Sequence, residues 1–178
     1  MKKAFLEAGR IINTHGIRGE IKFEHWCDSP DVLKKVKVLY LDAEGTKPLH
    51  ISASREHNRF LLIQFEEIDD LDKASAYKQR ILYVSRDDIP LPEDSVFIDD
   101  LFGLPVYDAN TGACYGKVTD VFNRGAGDIY EIKNGEKTYL FPAVPEFLVS
   151  VDTDDKIVIN PPKGIFDSDE IKIEETNE

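Results

Sequence analysis

Apolar residues in this chain come in short bursts, interrupted at roughly eight- to twelve-residue intervals by glycine, asparagine, aspartate or proline. Residues 20–26 alternate without a break. Ile21, Phe23 and His25 point one way, and Glu20, Lys22, Glu24 and Trp26 the other. Period two over this length is the pattern of a half-buried strand. Segments 36–41, 50–54, 60–65 and 81–85 are equally rich in β-formers, and Ala43-Glu44-Gly45-Thr46 supplies a turn between two of them. Such a chain cannot build a helical bundle. Its apolar runs, 60–63 for example, also end far short of the ~20 residues that cross a bilayer. The exception is 69–79, where Asp69 or Asp70 can cap a helix and Leu71, Ala74 and Tyr77 or Lys78 recur at helical spacing. Strands with one short helix predict a closed barrel with that helix over one opening.

The pattern breaks at 86–94, where two prolines and a cluster of acids leave nothing to drive regular structure. Strands then resume at 101–108, 115–122, 129–133, 137–141, 148–151 and 156–159. Asn110-Thr111-Gly112, Gly125-Ala126-Gly127-Asp128 and Asn134-Gly135 supply turns, the last being the strongest hairpin signal because both residues tolerate positive φ. The prediction is all-β: an N-terminal barrel over 1–86, a linker at 87–96 and a second small barrel over 97–166. Residues 167–178 form an acidic tail expected to be disordered.

Charge divides at the same place. Residues 1–92 carry 15 Lys+Arg and 15 Asp+Glu, so the second half holds the remaining 7 bases and 19 acids and the whole excess of -12. The first 41 residues reverse the sign, with 8 bases against 5 acids. An acidic half repels phosphate and suits a basic protein, although solubility alone also explains acidity. Two isolated cysteines, Cys27 and Cys114, exclude a disulfide framework and a cysteine zinc site, and point to a reducing cytoplasm.

Catalytic patterns are missing. His15, His25, His50 and His57 are scattered, no Gly-x-Ser-x-Gly occurs, and Gly16-Ile17-Arg18-Gly19 lacks the Lys-Ser/Thr pair of a phosphate-cradling loop. Four aspartate pairs (Asp69-Asp70, Asp87-Asp88, Asp99-Asp100, Asp154-Asp155) fall near turns, where both members are ordinarily solvated and ionised. They leave one alternative standing, a metal-dependent RNA-processing enzyme. By elimination the chain reads as a binding protein without cofactor or metal. Two stretches are candidates for contact. In 9–22, Arg10, His15, Arg18 and Lys22 surround a glycine-flanked loop that suits phosphate, or equally a plain hairpin with solvated bases. In 120–130, two glycines would present Asn123 and Arg124 at one end of the second barrel, or serve only as a turn.

At these residues the chain resembles the RimM family of bacterial ribosome maturation factors. The likeness is carried by His15-Gly16-Ile17-Arg18-Gly19-Glu20 and Phe97-Ile98-Asp99-Asp100-Leu101-Phe102-Gly103-Leu104-Pro105-Val106. Gly112-x-x-x-Gly116-x-Val118-x-Asp120-Val121 with Gly125-Ala126-Gly127-Asp128, Phe141-Pro142-Ala143-Val144-Pro145 and Pro161-Pro162-Lys163-Gly164 follow in order. The resemblance implies a six-stranded barrel like those of translation factors, followed by a PRC-type barrel. It also implies a monomeric, non-enzymatic role in small-subunit assembly. The immature 30S subunit would be bound at its head, through ribosomal protein nineteen and 16S rRNA, promoting maturation of the rRNA 3′ domain. A family tyrosine pair implicated in the protein contact aligns with Val96-Phe97 and a following tryptophan with Ile98, while Glu67 and Gln79 stand where the family often has glycine. The expected protein-binding residues are Val96, Phe97, Arg124, Phe141 and Pro142, and the expected RNA-binding residues Arg10, His15, Arg18 and Lys22. A PRC barrel can also serve an electron-transfer or membrane complex, and fold likeness alone does not separate the two.

Overall fold

The computed structural model describes residues 2–92, 95–123, 125 and 127–166. The chain divides into two compact units, Met1–Glu93 and Asp94–Glu178. The acidic tail 167–178 lies outside the described residues.

In the first unit, six strands close into an antiparallel barrel in the order β1-β2-β5-β4-β3-β6. They are β1 (Phe5–His15), β2 (Glu20–His25), β3 (Val38–Tyr40), β4 (Pro48–His57), β5 (Phe60–Phe65) and β6 (Ile81–Ser85). Residues 9–22 are thus mostly strand, and the glycine-rich loop is only the turn of the β1–β2 hairpin. β1 pairs with β2 and β6, with register shifts near Gly9 and Ile12. Gly9 is the close approach that allows this. At φ +154, a Cβ there would stand 2.1 Å from the Glu24 carbonyl oxygen and 2.7 Å from Cζ of Phe23. Ile11, Ile21, Phe23, Phe65 and Leu82 fill the interior, all at 1% exposure or less. Burying each contributes about 1.5–3 kcal/mol relative to leaving it in water.

Two helices flank the barrel. Helix α1 (Pro30–Lys34) is not foreseen in the strand pattern: Ser29 caps it, accepting from the Asp31 N–H at 3.2 Å, Pro30 starts it, and Leu33 alone is buried. Helix α2 (Leu71–Ala76) is shorter than the expected 69–79, and packs against β1 and β2. Asp70 caps it, accepting from the Lys73 N–H at 2.8 Å. It stops early because the chain swings through Gln79 in the left-handed region (φ +66) to enter β6, where the Gln79 N–H bonds the Ile11 carbonyl at 2.8 Å. Gln79→Gly is expected to stabilise the first unit by about 0.5 kcal/mol. Relief of the left-handed penalty, about 1–2 kcal/mol, exceeds the extra entropy glycine loses, about 0.5–1 kcal/mol. Urea melts followed by Trp26 fluorescence test this, and a lower midpoint would reverse the sign. At the other family glycine position, the Glu67 carboxylate accepts from His50 twice: from the backbone N–H at 2.9 Å and from Nδ1 at 2.5 Å. The latter bond raises the imidazole pKa.

The second unit is a six-stranded sheet in the order β10-β9-β8-β7-β12-β11, curled around one core. Its strands are β7 (Pro105–Asp108), β8 (Cys114–Asn123), β9 (Asp128–Asn134), β10 (Lys137–Pro142), β11 (Leu148–Val151) and β12 (Ile157–Ile159). Pairing is antiparallel except between β12 and β7. β10 runs through Pro142, which an end strand tolerates because its outer backbone edge needs no ladder bond. The expected strand 101–108 begins only at Pro105, since residues 98–100 form a 3₁₀ turn and Gly103 adopts φ +81. The Asn134-Gly135 expectation shifts by one residue. Asn134 ends β9, and the two-residue loop is Gly135-Glu136, with positive φ at Gly135 alone.

Asp108 organises the Asn110-Thr111-Gly112 turn from inside. Its buried carboxylate accepts from the N–H groups of Asn110 (2.7 Å) and Thr111 (2.9 Å) and from the Tyr115 hydroxyl (2.6 Å). The Tyr115 bond leads in holding this carboxyl below the usual range. Tyr115 in turn stacks on Phe166, 3.8 Å between centroids, so the chain continues past β12 to plug the core.

Candidate functional site

The β1–β2 turn is set by Gly16 (φ +66) and Gly19 (φ +79). Gly19 also lies directly on the segment leading into α2. A Cβ there would come within 2.7 Å of the Ile68 carbonyl oxygen and 3.0 Å of the Asp70 nitrogen. The tip is therefore seated on backbone and presents its two central side chains outward. Ile17 is 82% exposed, and Arg18 is exposed with no carboxylate partner among the described residues.

The four bases expected to act together separate in the structure. Arg10 lies five residues before His15 on β1, roughly 17 Å away at strand rise. Its Nη2 bonds Glu24 Oε2 at 3.2 Å, and its Nε is buried without a partner. Its charge is compensated and its position is away from the tip, so the structure does not gather it with the other three. His15 stands at the tip end of β1, Nε2 3.9 Å from Glu20 and ring centroid 5.7 Å from that of His57. Lys22 places Nζ 4.2 Å from the centroid of Phe60.

His57 and Phe60 belong to the β4–β5 hairpin, whose two-residue loop is Asn58 (φ +57) and Arg59. This hairpin is not among the expected site segments, although Arg55-Glu56-His57-Asn58-Arg59-Phe60 carries the signal: bases and an aromatic ring at a strand end. Arg59 rests on Phe60 from 5.0 Å, and Arg55 bonds Glu20 through Nε and Nη2, both at 3.1 Å. The outer face of β2 and the β4–β5 hairpin thus brings Lys22, Arg55 and Arg59 together with Glu20 and Glu24, from segments some 35 residues apart in the chain. The two carboxylates there are taken by Arg55 and Arg10.

In the second unit, the 3₁₀ turn Ile98–Asp100 is anchored by Leu101, which is buried. The Leu101 N–H bonds the Ile98 carbonyl at 3.0 Å, and the Gly103 N–H bonds that of Val118 at 2.8 Å. Around this fixed point Val96, Ile98 and Phe102 are exposed at 37%, 45% and 43%, and Phe97 is half-buried. Phe141 has a different place from the one expected. It has no exposed surface and packs among Tyr130, Phe147 and Phe166, with centroids 6.4–6.5 Å away. It belongs to the core because Tyr139 and Phe141 share the inward face of β10, while Leu140 faces out. Pro142 is half-buried, and Arg124 lies outside the described residues. Phe102, which nothing in the strand pattern marks, takes the place of Phe141 as an exposed ring.

The aspartate pairs serve the fold where their contacts are drawn. Asp69 meets Lys73 Nζ at 2.6 Å, Asp70 caps α2, and Asp87-Asp88 and Asp99-Asp100 sit in 3₁₀ turns. Among the described residues, no three His, Cys, Asp or Glu side chains converge as metal ligands.

Comparison with known proteins matches both units. The RimM N-terminal domain family matches residues 6–89, and the PRC-barrel domain family matches residues 93–165. The ribosome maturation factor RimM of Clostridium botulinum (strain Langeland) is 37% identical over 165 residues, covering 92% of this chain and 98% of that protein. That of Ruminiclostridium cellulolyticum is 34% identical over 167 residues, with the same coverage. Among solved structures, the 16S ribosomal RNA processing protein RimM of Pseudomonas aeruginosa aligns over 89% of this chain and 98% of its own, at 22% identity and a TM-score of 0.44.

Proposed function

Because this chain belongs to the RimM family, we propose that it is a ribosome maturation factor that acts without catalysis, by binding the immature 30S subunit at its head. The second unit takes a basic protein of the head, ribosomal protein nineteen, and the first unit touches 16S rRNA, favouring the conformation in which the rRNA 3′ domain matures. The protein works as a cytoplasmic monomer.

The observation that supports this reading best is the division of chemistry between the units. The second half is acidic and exposes Val96, Ile98 and Phe102 around one turn anchored by Leu101. The first unit is neutral overall and holds Arg18, Lys22 and Arg59 on hairpins, with the apolar Ile17 beside Arg18. Apolar anchors supply affinity for a protein, surrounding acids raise its encounter rate, and cations supply salt-dependent affinity for phosphate. Val96, Phe97, Ile98 and Phe102 form the protein contact. His15, Arg18 and Lys22 form the RNA contact, with Arg10 holding β1 to β2 through Glu24. Two weak contacts made by one chain reinforce each other through effective concentration. A factor that binds only one rRNA conformation shifts the population toward it by its differential affinity.

Arg18→Glu tests the RNA contact. Co-sedimentation with small-subunit precursors should weaken roughly three- to tenfold, and the slope of log affinity against log salt should flatten by about one. An unchanged slope removes Arg18 from the interface. In cells lacking the gene, neither unit expressed alone should restore normal 16S rRNA processing. Rescue by one unit would defeat the two-contact mechanism.

A further inference from the structure

The cations of the first unit differ in what holds them. Arg10, Lys34, Arg55 and Lys73 each meet a carboxylate, which cancels most of their field. Lys22 and Arg59 meet none among the described residues. Both lie against one aromatic ring instead, Lys22 Nζ 4.2 Å and the Arg59 guanidinium carbon 5.0 Å from the Phe60 centroid. A ring quadrupole attracts a cation but carries no opposite net charge. Phe60 therefore restrains both side chains and leaves their charge available, at most about 9 Å apart. His57 is the cross-strand partner of Phe60. Of the two carboxylates on the Lys22 face of β2, Glu20 is engaged by both guanidinium bonds of Arg55 and Glu24 by Arg10.

We propose that this face, made by β2, β5 and the β4–β5 turn, grips the phosphate backbone of RNA without reading its bases. The inference rests on the rRNA contact proposed above and extends it from the β1–β2 turn to a second hairpin. Held cations of one sign favour a polyanion, and restraint before binding lowers the entropy lost on contact. The Phe60 ring already carries two cations and is not an open platform for base stacking, so the contact is to backbone. The Phe60 ring is covered by the two cations and offers a protein no open anchor, and the exposed Ile17 lies on the neighbouring β1–β2 turn, outside this face.

The test uses the full chain and a transcript of the 16S rRNA 3′ domain, titrated by fluorescence anisotropy at several KCl concentrations. Lys22→Glu with Arg59→Glu should weaken binding at least tenfold and flatten the salt slope by about one to two. The charge-keeping pair Lys22→Arg and Arg59→Lys should bind like wild type. Should the double reversal impair folding by circular dichroism, Arg59→Gln at the exposed turn gives the same reading with about half the slope change. Wild-type affinity and slope in the reversed variants overturn the proposal. If Arg18→Glu then still weakens binding, the rRNA contact stands without this face; if it does not, both fall. Normal transcript binding with loss of small-subunit particles would assign the face to a protein, and also overturns the proposal.

Discussion

Truncating Phe141 to alanine is expected to melt the second unit, not to trim an interface. The ring has no exposed surface and sits among Tyr130, Phe147 and Phe166. Removing it forfeits the transfer free energy of the ring and leaves a cavity that rigid strands on either side fill poorly. The cost for such a change is about 3–5 kcal/mol, a large share of what a domain of this size has to lose. The midpoint should fall by something on the order of 20 °C. The sole tryptophan, Trp26, lies in the first unit. Its fluorescence should keep its own transition while near-ultraviolet circular dichroism from the second unit's tyrosines collapses. A variant that melts normally yet fails to bind particles would return Phe141 to the surface.

Replacing Ile98 and Phe102 together by alanine should do the reverse. Both side chains already face water, so shortening them removes little that folding gains, and the melting curve should stay within about 1 kcal/mol of wild type. A partner that covers them recovers their apolar surface. The turn carrying them is fixed by buried Leu101 and the Gly103–Val118 bond, so little ordering entropy is lost on binding. Anchors of this kind are commonly worth 2 kcal/mol or more, about thirtyfold in affinity. Sedimentation with small-subunit precursors should therefore drop by at least that factor. Binding at wild-type strength would show that the proposed protein contact lies elsewhere on the second unit.

These two variants also mark where reading the chain residue by residue succeeds and stops. Segments 60–65, 81–85 and 148–151 are strands with the boundaries their composition implies, because β-branched and aromatic residues between polar stops act locally. Helix α1 escapes that reading. Its five residues bury a single side chain, too few for any periodicity, and only the Ser29-Pro30-Asp31 cap announces it. On β10, alternation puts Tyr139 and Phe141 opposite Leu140, but all three are apolar, so period two alone does not say which face turns inward. The inward position of Phe141 is therefore decided by barrel packing and not by the local pattern.

The positions of β5, β6 and β11, the turns at Gly16–Gly19 and around Asn110, and the split in charge between the halves follow from nearest neighbours and composition. Strand β1 (Phe5–His15) does not, since Gly9 and its polar neighbours read locally as loop and only pairing with β2 and β6 makes them strand. Which face of each strand is dry, that Arg10 is tied to Glu24, and that Lys22 shares one ring with Arg59 depend on pairings between distant segments. Those pairings are settled when the barrel closes. Closure selects one register among several locally acceptable ones by the apolar surface it removes from water.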